Sequence, residues 1–303
     1  MKKCVLVLGL ILSLISFGKS RKQNDDKQTQ EKILYYLMDS IKKKEINTPI
    51  YNHDKYECYV EKVDTTLLFK TASNLKISYS DINIEESSSI DFNNSITFLV
   101  VSFKMKYEEQ PNSDNIGYSI ERKYIFVSKR DGKILDEETD SNLSYFNNEA
   151  TGFSKSYVLK NIIKLNDTTN AIALKTETSG GGRISLYSRQ LFTIITLEHN
   201  KIKKILYEYP VRKTQGESNG GGSFQMEVLE TDISVSNLKT NGFYDLIVAK
   251  TFSYEEEVEE DLEKGIKEKV EPIKIKKESE RIKYNGSIYV FKKDDKYRFL
   301  DYD

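Results

Sequence analysis

The stretch QGESNGGGSF, residues 215–224, contains a serine at a spacing that could support catalysis. Gly216, Ser218 and Gly220 match the G-x-S-x-G pattern of a nucleophile elbow, a sharp strand-to-helix turn that exposes a serine hydroxyl for attack on a carbonyl. Such a serine needs a histidine that accepts its proton and an acid that orients this histidine. Catalysis at Ser218 therefore requires a helix after it and a histidine close to it.

The residues around Ser218 predict a turn instead. Three glycines, Gly220–Gly222, follow it, and SFQMEVLE then alternates like a strand, so a helix cannot begin there easily. The two histidines of the chain, His53 and His199, both precede Ser218, whereas the elbow mechanism has the order serine, acid, histidine. A convergent triad in another order stays open, because triads are defined by geometry. We predict a glycine-rich turn and assign no catalytic residue.

Cofactor and zinc motifs are missing from the sequence. Neither glycine triplet, 180–182 or 220–222, is followed by the residues of a dinucleotide or phosphate loop. His53 and His199 are 146 positions apart, and only Cys58 follows the N-terminal region, so no zinc site of recognisable spacing can form. We predict no cofactor and no occupied metal site.

One segment resembles a degenerate calcium loop. In NLKTNGFYDLIV, Asn241 and Asp245 match ligand positions of the D-x-[DN]-x-D-G-x-x-D-L repeat of the integrin-α (FG-GAP or VCBS) kind, Asn237 is a neutral substitute, and Lys239 breaks the pattern. Together with YNGSIYVF it resembles the C-terminal part of secreted bacterial β-proteins with one such copy. The resemblance implies an antiparallel β fold and extracytoplasmic binding without a reaction. Since an ammonium repels calcium, we expect Lys239 to pair with Asp245 or Asn241 in its place.

The first 18 residues predict export. Lys2 and Lys3 precede thirteen mostly apolar residues, Val5–Phe17, which is typical of a signal peptide. An uncleaved anchor is the alternative, but the run is shorter than the roughly 20 residues that cross a bilayer. Cleavage after Gly18 leaves 44 basic and 47 acidic residues, a balance that gives no overall field to attract nucleic acid. We therefore expect a periplasmic or secreted protein that has no transmembrane segment and binds no nucleic acid.

Periodicity predicts a mainly β protein with a minor α+β part. After a polar spacer at 19–30, apolar residues at helical spacing predict a helix near 33–41, and alternation from 56 to 138 predicts an antiparallel sheet. The last hairpin should turn at Asp131-Gly132, with both residues at positive φ. We expect this helix-plus-sheet domain to span 31–143. Its end, IFVSKRDGKIL, resembles small α+β modules of the PepSY and cystatin-like type.

Residues 144–303 predict an all-β domain of short strands separated by turns. Asn200-Lys201, Asn241-Gly242 and Asn285-Gly286 recur at spacings of 41 and 44, so a partial propeller is an alternative to the sandwich or meander that we favour. Seven of the nine residues 255–263 are acidic, and lysines follow. Because unpaired charge this dense cannot be buried, we expect 255–283 to be a solvated hairpin extension, of which 256–280 is dispensable for folding.

These features favour an exported, soluble, non-enzymatic binding protein. Its partner should be a protein or a cell-envelope ligand, and an inhibitor or immunity-type protein is a specific version of this class. The alternative is a cell-envelope hydrolase that uses Ser218 or an unrecognised pair among the 47 acidic residues.

Overall fold

Antiparallel strands make up most of the protein, as the alternating pattern predicts. The structure is a computed structural model. It describes residues 47–53, 59–105, 119–140, 155–179, 184, 186–260, 264–267, 269–270, 273–293 and 296–300. These contain one α-helix, α1 (Thr65–Leu75), and a 3₁₀ turn at Tyr79–Asp81. The strands are β1 Thr48–Tyr51, β2 Ile82–Asp91, β3 Ile96–Met105, β4 Ser119–Ser128, β5 Ile134–Asp140, β6 Lys155–Val158, β7 Ile163–Lys164, β8 Asn170–Ser179, β9 Ser188–Glu198, β10 Lys201–Ser218, β11 Phe224–Thr240, β12 Phe243–Val258, β13 Lys269–Val270, β14 Lys274–Tyr284 and β15 Tyr289–Val290.

Strands β2 to β5 form a small antiparallel sheet in chain order, and α1 covers one of its faces. The alternating pattern predicted for 56–138 is wrong over 65–75. There, Leu67, Leu68, Thr71 and Ala72 are buried at the i, i+1, i+4, i+5 spacing of a helix, and the Asp64 carboxylate caps its start by accepting from the Leu67 N–H at 3.0 Å. The helix predicted near 33–41 lies outside the described residues.

The large sheet is a meander. Its strand order, β15-β14-β12-β11-β10-β9-β8-β6, mostly follows the chain through consecutive hairpins, while β1, β7 and β13 pair beside this path. The predicted meander is confirmed. In the described residues these strands belong to one continuous sheet, so they do not form the separate four-stranded blades of a propeller.

The hairpin turns show where local sequence fixes the backbone. Asn241 and Gly242 have φ of 49° and 87°, and the strands pair directly on either side of them at Thr240 and Phe243, as in a two-residue turn. At Asp131-Gly132 the predicted hairpin forms, but only Gly132 has positive φ, so the predicted turn type is wrong. The reason is a wider turn, in which the Gly132 N–H donates to the Ser128 carbonyl at 2.9 Å.

The charged segment 255–283 is not wholly an extension. Residues 274–282 pair with β12 in register, from Tyr254 opposite Lys274 to Leu246 opposite Ile282, and Ile282 is buried. Strand β14 pairs within the sheet despite its many charged residues, because the acidic side chains on its inward face have basic partners. The Glu280 carboxylate lies 2.7 Å from the Lys250 ammonium. The hairpin extension that lies outside the β12–β14 pairing is therefore shorter than the predicted 255–283.

The two sheets pack against each other through a shared hydrophobic cluster. Phe98, Val100 and Phe126 of the small sheet meet Ile172 and Leu174 of the large sheet. The boundary predicted at 143/144 falls within 141–154, which lie outside the described residues. Because the sheets share this cluster, the edges of the two sheets are held close together, and the site described next lies at those edges.

Candidate functional site

A cleft of about 520 Å³ lies where an edge of the small sheet meets an edge of the large one. Strand β2 ends the small sheet, and β6 ends the strand order of the large sheet. The junction cleft is lined by residues 59–61, 85–88 and 156–157 and by Arg122, Lys175, Glu177, Gln190 and Arg212.

An irregularity in β2 shapes one wall of the junction cleft. Asn83 pairs with Ser102 and Ser88 with Val100, so the four residues 84–87 lie opposite a single residue of β3. Side-chain bonds hold this bulge, since the Ser87 hydroxyl donates to the Asn83 carbonyl at 2.7 Å and accepts from the Ser102 N–H at 3.1 Å. Bulges of this kind often redirect a side chain beside a functional site. Glu86 lies in this bulge and lines the cleft.

Arg122 is a buried cation that links the two sheets. Its side chain is 1% exposed. Its Nε donates to the Ser102 hydroxyl of β3 at 3.1 Å, and its Nη1 donates to the Ser156 hydroxyl of β6 at 2.5 Å. The nearest Glu86 oxygen, Oε2, is 3.9 Å from Nη2, which is too long for a hydrogen bond. Arg122 thus puts a fixed positive charge in the wall of the cleft.

Among the buried polar atoms of the cleft, Glu86 Oε2 and the Ser88 hydroxyl have no hydrogen-bond partner in the described part of the protein. A buried polar atom left without a hydrogen bond costs roughly 1–3 kcal/mol. Native structures contain few such atoms, so each one calls for an explanation. A ligand that donates hydrogen bonds to this wall would recover that cost.

Lys175, on β8, is a second buried cation. Its residue is 3% exposed, and its Nζ lies 4.8 Å and 4.7 Å from the ring centroids of Tyr59 and Tyr157. Nζ donates to Gln190 Oε1 at 3.3 Å, while Glu177 Oε2 is 3.7 Å away. Burial lowers the pKa of Lys175, and the nearby Glu177 carboxylate opposes this shift. The rings and Gln190 hold the ammonium in one position.

A row of polar side chains continues from the cleft across the large sheet. Glu177, Gln190, Arg212 and Glu230 are direct partners on successive strands and so share one face. At the end of the row, His53 Nε2 lies 3.4 Å from Glu230 Oε2. This face therefore carries polar side chains, including charges of both signs, from the cleft to His53.

The predicted glycine-rich turn is confirmed, and it begins directly after Ser218. Ser218 is the last residue of β10 and pairs with Phe224, so 219–223 form the turn between two strands. Its hydroxyl accepts from the Gly220 N–H at 3.1 Å. His199 precedes the other end of this 18-residue strand, and His53 contacts β11. At about 3.3 Å per residue, His199 is roughly 60 Å from Ser218 along the strand. His53 contacts Glu230, which pairs with Arg212, six residues or roughly 20 Å before Ser218, so the described residues bring no serine–histidine pair together there.

The four residues of the calcium-like segment do not converge. Lys239 and Tyr244 are cross-strand partners, so Asp245, the next residue, points to the opposite face. The predicted pairing of Lys239 with Asp245 or Asn241 is therefore wrong, and the Lys239 ammonium contacts Asp167 Oδ2 at 2.8 Å instead.

Asn237, Asn241 and Asp245 do not face a shared site, because two of them contact other residues and one is exposed. The Asn241 amide donates to the Tyr284 carbonyl at 2.8 Å, Asp245 is buried 3.6 Å from Arg281 Nη1, and Asn237 is exposed. Across the residues that the structure describes, no three His, Cys, Asp or Glu side chains are grouped so that they could hold a metal ion.

No protein-family model matches the chain, and no curated protein or solved structure matches it either. The resemblance to integrin-α-type repeats therefore stays a prediction. Within the described ranges, no helix is long and apolar enough to cross a membrane.

The sequence prediction missed the junction cleft, although part of its signal was present. Arg122 alternates with Tyr124 and Phe126 on one face of β4, and Lys175 alternates with Ala173 on β8. A charged residue at an inward position of an apolar strand face is costly unless it has a role or partners. Glu86 gave no such signal, because it lies in the bulge.

Proposed function

We propose that this protein is an exported, non-enzymatic binding protein whose ligand occupies the junction cleft. The observation that carries the proposal is the pair of buried, unpartnered acceptors, Glu86 Oε2 and Ser88 Oγ, in a cleft that also contains two buried cations. A volume of about 520 Å³ lies within the range of roughly 300–1,000 Å³ that is typical of small-molecule sites.

The polar groups of the cleft suit binding better than catalysis. A catalytic serine needs a base within hydrogen-bond reach, but Ser156 contacts Arg122 and Tyr124, and Ser88 has no partner in the described residues. Arg122 and Lys175 are instead held rigidly by neighbours on the strands. Rigid, preorganised polar groups reduce the entropy that a ligand loses on binding.

Export supports the same class of protein. The proposal that the protein works outside the cytoplasm rests on Lys2, Lys3 and the apolar run Val5–Phe17, which lie outside the described residues.

A defined ligand panel tests the proposal. Protein purified from the exported fraction is titrated calorimetrically with amino acids, dipeptides, neutral sugars and dicarboxylates. We expect at least one compound to bind with a Kd below about 1 mM. Lys175→Met, which keeps an apolar stem, should weaken binding about tenfold or more.

The matched control is Lys203→Met, which removes a lysine that pairs with Glu198 and does not line the cleft. It should bind like the unmodified protein. Binding of no compound, equal loss in both variants, or turnover of a panel compound would contradict the proposal.

A further inference from the structure

We infer that the junction cleft selects a zwitterion, a short peptide with both termini free, and places its ammonium against Glu86 and its carboxylate against Lys175. This inference rests on the proposed function, because it names the ligand of that same cleft.

The walls of the cleft carry charges of both signs. Three cations line the same space as four carboxylates: the buried Arg122 and Lys175 and the half-buried Arg212 face the partly buried Glu86 and Glu177 and the more exposed Glu61 and Glu85. An anionic ligand would be repelled by the carboxylates, and a cationic ligand by the two buried cations. Specificity of this kind comes from repulsion as much as from attraction. A ligand that carries both charges meets an opposite charge at each end.

The two ion pairs in the cleft are longer than hydrogen bonds. Arg122 Nη2 is 3.9 Å from Glu86, and Lys175 Nζ is 3.7 Å from Glu177. Both distances exceed the 2.7–3.2 Å that is typical of a hydrogen bond. The Glu86 and Glu177 carboxylates are therefore not held by short bonds within these two pairs, and a ligand could form the stronger, charge-assisted bonds to them.

The unpartnered atoms set the orientation of the ligand. An ammonium has three N–H donors and no acceptor. It matches the Glu86 Oε2 and Ser88 Oγ acceptors, which have no hydrogen bond of their own in the described residues. At the other end, the Lys175 ammonium makes one hydrogen bond, to Gln190, and its positive charge attracts the carboxylate of the ligand.

The size of the cleft favours a peptide over a single amino acid. About 520 Å³ is a volume suited to drug-sized ligands, which corresponds to a peptide of about two or three residues. The Tyr59 and Tyr157 rings flank Lys175, with their centroids 5.1 Å apart, and add apolar surface beside the proposed carboxylate position.

The experiment compares free and capped dipeptides. Ala-Ala, N-acetyl-Ala-Ala and Ala-Ala-amide are titrated into the exported protein by calorimetry. We expect Ala-Ala to bind, and each cap to weaken binding about tenfold or more, because each removes one terminal charge. This comparison needs no variant, so it does not depend on whether a substituted protein folds.

Two variants then assign the ends. Glu86→Gln should remove the difference between free and N-acetylated peptide but keep the penalty of the C-terminal amide. Lys175→Met should do the reverse, and Glu198→Gln, away from the cleft, should change neither.

Capped peptides that bind as tightly as Ala-Ala would overturn the inference, and so would a reversed pattern in the two variants. If a sugar or a dicarboxylate binds in a Lys175-dependent way while no dipeptide does, the inference fails and the proposed function stands. If no compound of either panel binds, both fail.

Discussion

The junction cleft and the C-terminal segment 296–300 each involve a buried glutamate oxygen, but the two differ in their hydrogen bonds. At the C-terminus, the Glu227 carboxylate is buried and accepts three backbone N–H bonds, from Arg298 at 2.7 Å, Phe299 at 2.8 Å and Leu300 at 3.0 Å. In the cleft, the Glu86 oxygen nearest to Arg122 accepts none. Buried acids that are fully bonded stabilise a fold, whereas a buried acid with an unbonded oxygen costs stability, and the proposed ligand would offset that cost.

The segment 296–300, which we name the C-terminal clasp, lies across β11, β12 and β14. Arg298 donates two bonds to the Glu278 carboxylate, at 2.8 and 3.0 Å, and its guanidinium lies 4.4 Å from the Phe252 ring centroid. Two parallel N–H···O bonds fix both distance and orientation. The charged side chains of the clasp therefore stabilise the fold, whereas those of the cleft line the proposed ligand site.

Among the single substitutions, the largest effect should come from Glu227→Ala. It leaves three N–H groups of the clasp without their acceptor, which should lower the free energy of unfolding by about 3 kcal/mol or more. Urea denaturation measures the change. Glu217→Ala, at an exposed position of β10, should alter stability by less than about 0.5 kcal/mol. Equal effects of the two substitutions would mean that the clasp adds nothing to stability.

Two serines of the cleft region should differ in their contributions. Ser102→Ala removes the hydroxyl that accepts from Arg122 Nε and donates to the Glu86 carbonyl, so we expect a loss of about 1–2 kcal/mol. Ser88→Ala removes a buried hydroxyl without a partner, so stability should stay within about 0.5 kcal/mol of the unmodified protein or rise. Thermal and urea unfolding of both variants check this. A larger loss in Ser88→Ala would show that its hydroxyl is bonded after all, and would remove one argument for the ligand site.

Acid should weaken the clasp. The Arg298 guanidinium lowers the pKa of Glu278 from 4.5 to about 2. Because the folded-state pKa is the lower one, the pair stabilises the fold fully above about pH 4.5 and loses this contribution as pH falls towards 2. The effect should be about 1 kcal/mol or less, since Glu278 is partly exposed.

The measurement is the melting temperature of the protein and of Glu278→Gln between pH 6 and 2. The gap between the two should shrink as the solution is acidified. A constant gap would mean that the interaction does not depend on the Glu278 charge.

Shortening the charged hairpin outside the β12–β14 pairing should have a small effect. Replacing residues 256–272 by Asn-Gly keeps Glu255 and Ile273 on strands that stay in register, because Tyr254 pairs with Lys274. We expect the melting temperature to fall by less than about 5 °C. Removing 256–280 also takes away Glu278, Glu280 and most of β14, so that protein should unfold or aggregate. If both deletions melt alike, β14 is dispensable, as the sequence alone had suggested.

Local sequence was enough to predict much of the fold. Alternation indicated the strands, Asn241-Gly242 indicated a two-residue turn, and the glycines after Ser218 indicated the turn at 219–223. Each of these signals lies within a few residues of the structure that it specifies, because turn φ angles and strand faces are set by neighbouring residues. The helix at 65–75 was missed, although its cap and apolar spacing are local too.

Only the tertiary structure decided the site. Arg122 and Ser156 are 34 positions apart, and Lys239 and Asp167 are 72 apart, yet each pair is in contact. Nothing in the sequence showed that the bulge of β2 would lie beside the edge of β6, since that depends on how two sheets pack through a shared apolar cluster. Charged side chains therefore form a clasp at one end of the large sheet and leave buried atoms without hydrogen bonds at the junction with the small sheet, because burial and pairing depend on distant strands.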